Sequence, residues 1–327
     1  MDKAIIITTI NDRTEAIRRF ELISGWNIIL VGDRKTPEIH STKQRIYLSL
    51  AAQHELGLKY PDLCPTDHYC RKNVGYLYAF QQGATVLADT DDDNIPYESW
   101  CEKELYCATR IKSNNEFANV YRHFTNELIW PRGFPLDHIR DSQDYTLLNK
   151  PTRIGVWQGL ADGDPDVDAI HRLLFSTSLK FTKHTDVCLD KWTYCPFNSQ
   201  NTQWAPGTAE LMYLPSTVTF RFTDILRGYV AQRLLWEMGL HLGFTSATVY
   251  QERNAHDLMR DLKDEIPCYI SVHNVVEILN SLALTGDPAS DMRAAYSALY
   301  DLDIVGKDEL PLLDAWLEDI KNCRKNT

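Results

Sequence analysis

An apolar run from Ala4 to Ile10, a helically spaced stretch from Asp12 to Leu22 and a second apolar run from Trp26 to Val31 open the chain in that order. A strand, a helix and a strand in succession close through a right-handed crossover, so the two strands lie parallel in one sheet. Asn11 or Asp12 is expected to cap the helix, and the second strand ends at Gly32-Asp33. Thr42 to Leu56 and Arg71 to Gln82 read as further helices, the second closed by Gly83 at its C′ position. Ala84 to Asp89 is the next strand and runs directly into Thr90-Asp91-Asp92-Asp93-Asn94. Ligands of open α/β sheets bind outside the carboxyl ends of the strands. Thr8 to Asn11, Gly32-Asp33 and the aspartates are therefore expected to line one crevice.

Further along, Tyr97 to Thr109 reads as a helix, Phe117 to Tyr121 and Arg153 to Trp157 as short strands, and Lys112 to Pro151 as largely irregular around Trp130-Pro131-Arg132-Gly133-Phe134-Pro135. An acidic loop, Leu160 to Asp168, leads into a helix reaching Leu174. Thr217 to Phe222 alternates like a strand, and Asp224 stands where it would cap a helix from Ile225 to Gly239. Beyond Asn254 the pattern is helical, ending with Leu310, Leu313, Leu317 and Ile320 on one face that must pack on the main body or on a second copy in a homo-oligomer.

Charge narrows the partners. The 327 residues carry 34 Lys and Arg against 45 Asp and Glu, a net charge of −11 with no basic block, which argues against nucleic acid or an anionic bilayer as partner. No run of about 20 apolar residues offers a membrane span, and Met1-Asp2-Lys3 leads into too short an apolar run for an export signal. The eight cysteines are scattered and never spaced Cys-x-x-Cys, which reads as reduced thiols and a cytoplasmic location.

In extended chain alternate side chains share a side, so Asp91 and Asp93 are expected to point together into the crevice while Asp92 points aside. Close carboxylates repel unless a cation neutralises them, and hard oxygen ligands suit Mg²⁺ or Mn²⁺, which can stabilise a departing diphosphate. The competing reading is an acidic turn in which Asp92 or Asn94 caps a helix starting near Pro96. A zincin helix, a P-loop and a Gly-x-Ser-x-Gly elbow are all missing, so metal-assisted transfer from a diphosphate is the chemistry expected.

Five motifs carry a resemblance: Val31-Gly32-Asp33-Arg34-Lys35-Thr36-Pro37, Lys72-Asn73-Val74-Gly75-Tyr76-Leu77-Tyr78-Ala79, Thr90-Asp91-Asp92-Asp93-Asn94, Gln158 to Ala169, and Phe220-Arg221-Phe222-Thr223-Asp224-Ile225-Leu226-Arg227-Gly228-Tyr229. In this order, from about Ala4 to about His256, the chain resembles the STELLO glycosyltransferase family, whose aspartate motif is similar to that of reversibly glycosylated polypeptides. The resemblance implies an α/β glycosyltransferase-A-like fold, a Rossmann-like mixed sheet flanked by helices. Residues 1–253 would form the catalytic domain and residues 254–327 a helical extension packing on it. It also implies a nucleoside diphosphate sugar, a UDP-sugar by expectation, as donor and a carbohydrate as acceptor, in cell-surface polysaccharide assembly. Plant members carry a membrane anchor, which this sequence lacks, so their location is not carried over.

Within that picture Thr8, Asn11 and Asp33 would meet the nucleoside, or serve only as turn residues. Arg71, Lys72 and Asn73 open a helix whose N-terminus and cations could reach diphosphate or ribose, against plain surface solvation for the two cations. Gly75, in the same helix, costs about 1 kcal/mol against alanine and is expected where backbones pack closely. Asp91 and Asp93 would hold the metal, with His256 as a third ligand from the C-terminal side or as a structural histidine, and Asp91 and Asp92 would meet the donor. Asp162 and Asp164 are candidates for acceptor hydroxyls. The competing reading makes Asp164 the N-cap, with Pro165 at N1 and Asp166 and Asp168 as first-turn acids. Asp224 is the candidate general base in competition with its cap role, and Arg221 and Arg227 would stabilise diphosphate charge or pair with local acids. Two rival readings stand beside the transferase: a nucleotide-sugar mutase, and a non-catalytic scaffold on the same fold.

Overall fold

The computed structural model describes residues 1–141, 145–175, 178–183, 185–252 and 257–325. Among the described residues ten strands form one mixed sheet: β1 (Lys3–Thr8), β2 (Asn27–Val31), β3 (Arg45–Leu48), β4 (Val86–Asp91), β5 (Asn94–Pro96), β6 (Tyr106–Ser113), β7 (Tyr145–Gly163), β8 (Val187–Leu189), β9 (Asn201–Trp204) and β10 (His241–Gln251). Their order is β3-β2-β1-β4-β9-β7-β6-β8-β10-β5, with β7 also paired to β10. The helices are α1 (Glu15–Phe20), α2 (Leu50–His54), α3 (Tyr60–Leu63), α4 (Lys72–Gln81), α5 (Tyr121–Phe124), α6 (Ala169–Leu174), α7 (Thr223–Glu237), α8 (Leu258–Ser281), α9 (Pro288–Asp301) and α10 (Glu309–Lys325).

The opening apolar runs pair as the crossover argument requires. β1 lies between β2 and β4, parallel to both, with Ile6 opposite Ile29 and Asp89. Both faces are covered, which is why β1 is apolar without alternation. Ala4 and Ile6 join the main core with Ile29 and Val31, whereas Ile5 and Ile7 join Ile28, Leu30, Phe20, Trp26 and Trp100 on the other face. Gly75 sits where α4 crosses the sheet: a Cβ there would stand 2.5 Å from Val31 and 2.6 Å from Ile6. Every residue of α7 from Thr223 to Trp236 is buried, so this helix lies inside the molecule rather than on it.

Several local expectations are corrected. The N-cap of α1 is Thr14, not Asn11 or Asp12. Thr42 to Leu56 contains the edge strand β3 before Ser49 caps α2, because backbone pairing with β2 and the Arg45–Glu21 ion pair outweigh helical spacing. Tyr97 to Thr109 is no helix: Trp100 is drawn into the Phe20–Trp26 aromatic cluster and the chain then enters β6. Phe117 to Tyr121 forms one bridge to Tyr194 rather than a strand. Thr217 to Phe222 is not a strand either, since the Glu309 carboxylate of α10 takes the backbone N–H groups of Ser216 and Thr217. Helix α6 is capped by Asp168, whose carboxylate accepts the His171 N–H, whereas Asp164 pairs with Arg172.

After β10 the described chain is helical. The α10 stripe packs on the main body: Leu313 and Ile320 are buried in its core, with Leu310 and Leu317 against it. Among the described residues no helix is long and apolar enough to cross a membrane.

Candidate active site

A cleft of about 830 Å³ opens at the carboxyl ends of β1, β2 and β4. Thr8, Thr9, Asn11, Gly32 and Asp33 form one wall; Asp91, Asp92 and Asp93 lie between; Arg132, Asp166, Arg221 and Asp224 face them; the start of α8 adds Arg260, Asp261 and Asp264. Among the described residues the lining holds ten aspartates, against four arginines and one lysine. An anionic ligand would meet strong repulsion there unless a cation came with it.

The aspartates do not alternate as expected. β4 ends at Asp91, and Asp92-Asp93 form a turn before β5, so all three line the cleft. Asp92 Oδ2 accepts from the Thr9 hydroxyl and from Asn11 Nδ2 (3.0 Å), which ties the aspartate turn to the end of β1. Asp93 Oδ2 accepts from Gln251 Nε2 at 3.0 Å. Asp91 Oδ1 accepts from Tyr69 Oη (2.8 Å) and from Lys72 Nζ (3.2 Å). Burial pushes the Asp91 carboxyl up, against the opposing pull of Lys72. Its side chain nevertheless keeps 32% of its surface open.

Across the cleft Arg132 is clamped between two carboxylates. Its Nε and Nη2 donate to Asp166 at 2.9 and 2.8 Å, and its Nη1 and Nη2 to Asp224 at 3.1 and 3.0 Å. Asp224 lies in the first turn of α7 but bonds no helix N–H, so its expected cap role is corrected; its remaining contacts are the N–H (3.3 Å) and hydroxyl (3.5 Å) of Ser199. Arg221 donates through Nε and Nη2 to Glu265 Oε1 of α8 at 2.9 and 2.7 Å and stands 4.0 Å from Asp166.

A family model described as STELLO glycosyltransferases matches residues 221–326. Two Arabidopsis thaliana proteins, "Probable glycosyltransferase STELLO2" and "Probable glycosyltransferase STELLO1", are 27% and 28% identical over 348 and 351 residues, each match covering 98% of this chain. The chain is thus similar to STELLO glycosyltransferases along nearly its whole length, and its C-terminal third matches their family model. It spans 44% of the length of each of these relatives. Its mixed sheet flanked by helices, with a helical C-terminus, is consistent with a glycosyltransferase-like fold.

Of the residues singled out in the sequence, the cleft gathers Thr8, Asn11, Asp33, Arg71, Asp91, Asp92, Asp93, Arg221 and Asp224 along its lining. Lys72 reaches it only through Asp91, since its ammonium is wholly buried between the carbonyls of Thr90 and Ser199 and the Tyr69 hydroxyl. The other assignments are corrected. Arg71 spends its guanidinium on Gln53, Cys64 O and Pro61 O, so it braces the loop behind the cleft instead of offering a free cation. Asn73 faces away, bonding Tyr60 and the backbone of Leu214. Arg227, one turn deeper along α7 than Asp224, pairs with Asp89 at 3.0 Å beneath Trp204 and is 1% exposed, too far inside to meet diphosphate. Asp162 accepts from Tyr97 Oη and the Phe181 N–H, Asp164 is held by Arg172, and neither lines the cleft. His256 lies outside the described residues.

Sequence reading missed Arg132 and gave Asp166 to a helix turn. Their partners stand 34 and 92 residues apart along the chain, and no periodicity reports a contact at that range. The one local signal was an arginine followed by glycine in a proline-flanked, aperiodic segment; Gly133 adopts φ +83° there, against Ile225.

Proposed function

We propose that this chain transfers a sugar from a nucleoside diphosphate donor, a UDP-sugar by preference, to a carbohydrate acceptor with the help of Mg²⁺ or Mn²⁺. The observation that carries this reading is the excess of aspartates in a cleft at the strand ends, where a diphosphate can be accepted only along with a cation. The donor set fits such an ion: Asp91 and Asp92 are hard oxygen ligands, and Asp91 Oδ2 and Asp92 Oδ1 take no hydrogen bond among the described residues. When bound, the ion would neutralise charge on the diphosphate as it leaves. Asp33, bonded through its carboxylate to the N–H groups of Arg34 and Asp67, shapes the wall suited to the nucleoside. Asp224 would take the acceptor proton, with Arg132 fixing its orientation. The buried thiols Cys64, Cys70, Cys107, Cys188, Cys195 and Cys268, none in a disulfide, support a reducing compartment.

A thermal-shift screen of nucleotide sugars tests the reading. One donor should raise the melting temperature with Mn²⁺ and not without it, and Asp91→Asn and Asp92→Asn should each abolish the shift. A shift that ignores Mn²⁺, or that survives in both variants, would refute metal-dependent donor binding. With the donor identified, product analysis should find a new glycoside and a nucleoside diphosphate; an isomerised nucleotide sugar would instead establish the mutase.

A further inference from the structure

Away from the cleft, Asp137 and His138 lie on a 3-10 turn, Leu136–His138, and His273 lies in α8. None of the three lines the cleft. One ligand-type atom of each falls within 4.8 Å of the other two. His273 Nε2 stands 3.0 Å from both oxygens of Asp137, and His138 Nε2 stands 4.0 Å from Asp137 Oδ2. Metal bonds of about 2.0–2.2 Å arranged tetrahedrally place neighbouring ligand atoms roughly 3.3–3.5 Å apart, between those two separations.

An independent contact prepares the same atoms for a ligand. Asp141 Oδ2 lies 2.6 Å from His138 Nδ1. A carboxylate there accepts the Nδ1 proton, which fixes the tautomer and leaves the Nε2 lone pair open, the outer arrangement that metal-binding histidines use. The ring of Phe117 packs on both imidazoles, at centroid distances of 5.4 and 5.5 Å, and so restricts their rotamers.

We propose that Asp137, His138 and His273 bind one zinc-class divalent ion, with Asp141 orienting His138 and the fourth position left to solvent. Two imidazoles with one carboxylate favour Zn²⁺ or Co²⁺ over Mg²⁺, so the site is chemically distinct from the all-oxygen aspartates of the cleft. Its structural consequence is a clasp between two parts of the cleft wall. The turn follows Arg132 by a few residues, and α8 carries Arg260, Asp261 and Asp264.

The test is a Co²⁺ titration of the metal-free 327-residue chain, followed by visible absorption, because tetrahedral Co²⁺ absorbs far more strongly than the octahedral ion expected on carboxylates alone. One equivalent should give the intense band, and Zn²⁺ should displace it. His138→Ala and His273→Ala should each lose the band, Asp141→Asn should weaken binding by about 10–100-fold, and Asp91→Asn should leave the band intact. Metal-free melting curves matching wild type establish that the variants fold; should one fall short, His138→Gln or His273→Asn replaces it. Absence of the band in wild type, its persistence in both histidine variants, or an equal Zn²⁺-induced rise in melting temperature in wild type and folded His273→Ala would overturn the site.

Discussion

A guanidinium closed on two carboxylates holds each in one orientation, and breaking such a buried arrangement exposes unpaired charge. Arg132 does this for Asp166 and Asp224, both on the cleft. The arrangement separates the chemistry of Asp224 from its packing, because either aspartate can be removed while Arg132 keeps the other. Asp224→Asn and Asp166→Asn should lower the melting temperature by comparable amounts. Only Asp224→Asn should also depress turnover by ~10²-fold or more at unchanged donor affinity, since an amide cannot take the acceptor proton. Steady-state kinetics with the identified donor check this, and equal losses of turnover in the two variants would show that the carboxylates serve only to position Arg132. A second expectation of the proposed function follows from Asp91, which would have to shed its proton to meet a cation. Because burial raises its pKa, Mn²⁺-dependent donor binding in the wild-type chain should fade on acidification at a pH above the usual aspartate range, and binding that persists down into that range would refute the assignment.

Helix α6 shows an element built around a strained charge. Its cap, Asp168, accepts from the His171 N–H and from Trp130 Nε1, both at 2.7 Å, yet burial pushes its carboxyl up to about 6. The folded chain then holds this proton more tightly than the unfolded chain, so the group's contribution to stability is greatest below the unfolded value near 4 and falls as pH rises toward 6. The change is on the order of 3 kcal/mol at most. Melting temperatures between pH 4 and pH 7 should therefore decline less steeply in Asp168→Asn than in wild type, whatever that variant costs by losing the Trp130 bond; parallel slopes would remove Asp168 as the cause. Elements whose signal was local were legible from sequence: β1, β2 and β4 from apolar runs, α4 from its period and closing Gly83, and the convergence of strand ends on a cleft from crossover handedness. Elements decided by distant partners were not. Trp100 left its helical pattern for an aromatic cluster, and Thr217 gave its N–H to Glu309, 92 residues on. Asp224 looked like a cap because nothing local announced Arg132.

At the scale of the molecule, one core joins the sheet to the last helix: Ala4, Ile6, Val74, Leu226, Leu313, Trp316 and Ile320 belong to the same buried cluster. Polar contacts fasten the same joint. Glu309 accepts from Tyr213 Oη and from the N–H groups of Ser216 and Thr217, and Asp319 accepts from the Lys59 and Tyr60 N–H groups at the start of α3. Trp316 is wholly buried against Tyr60, Tyr76 and Tyr213 and donates its indole N–H to Glu210 O at 3.1 Å. Losing α10 would uncover that aromatic cluster and leave buried N–H groups without acceptors, two penalties that act on the α3–α4 side of the body behind the cleft. Truncation after Lys307 should therefore leave a chain that melts far below wild type or fails to fold, and Trp316→Ala alone should cost ~3–5 kcal/mol in denaturant unfolding. Light scattering distinguishes the alternative that the same stripe serves an oligomer: a truncated chain that keeps the wild-type melting temperature and changes only its mass would mean that α10 binds a second copy, whereas loss of stability at unchanged mass places its energy within one chain.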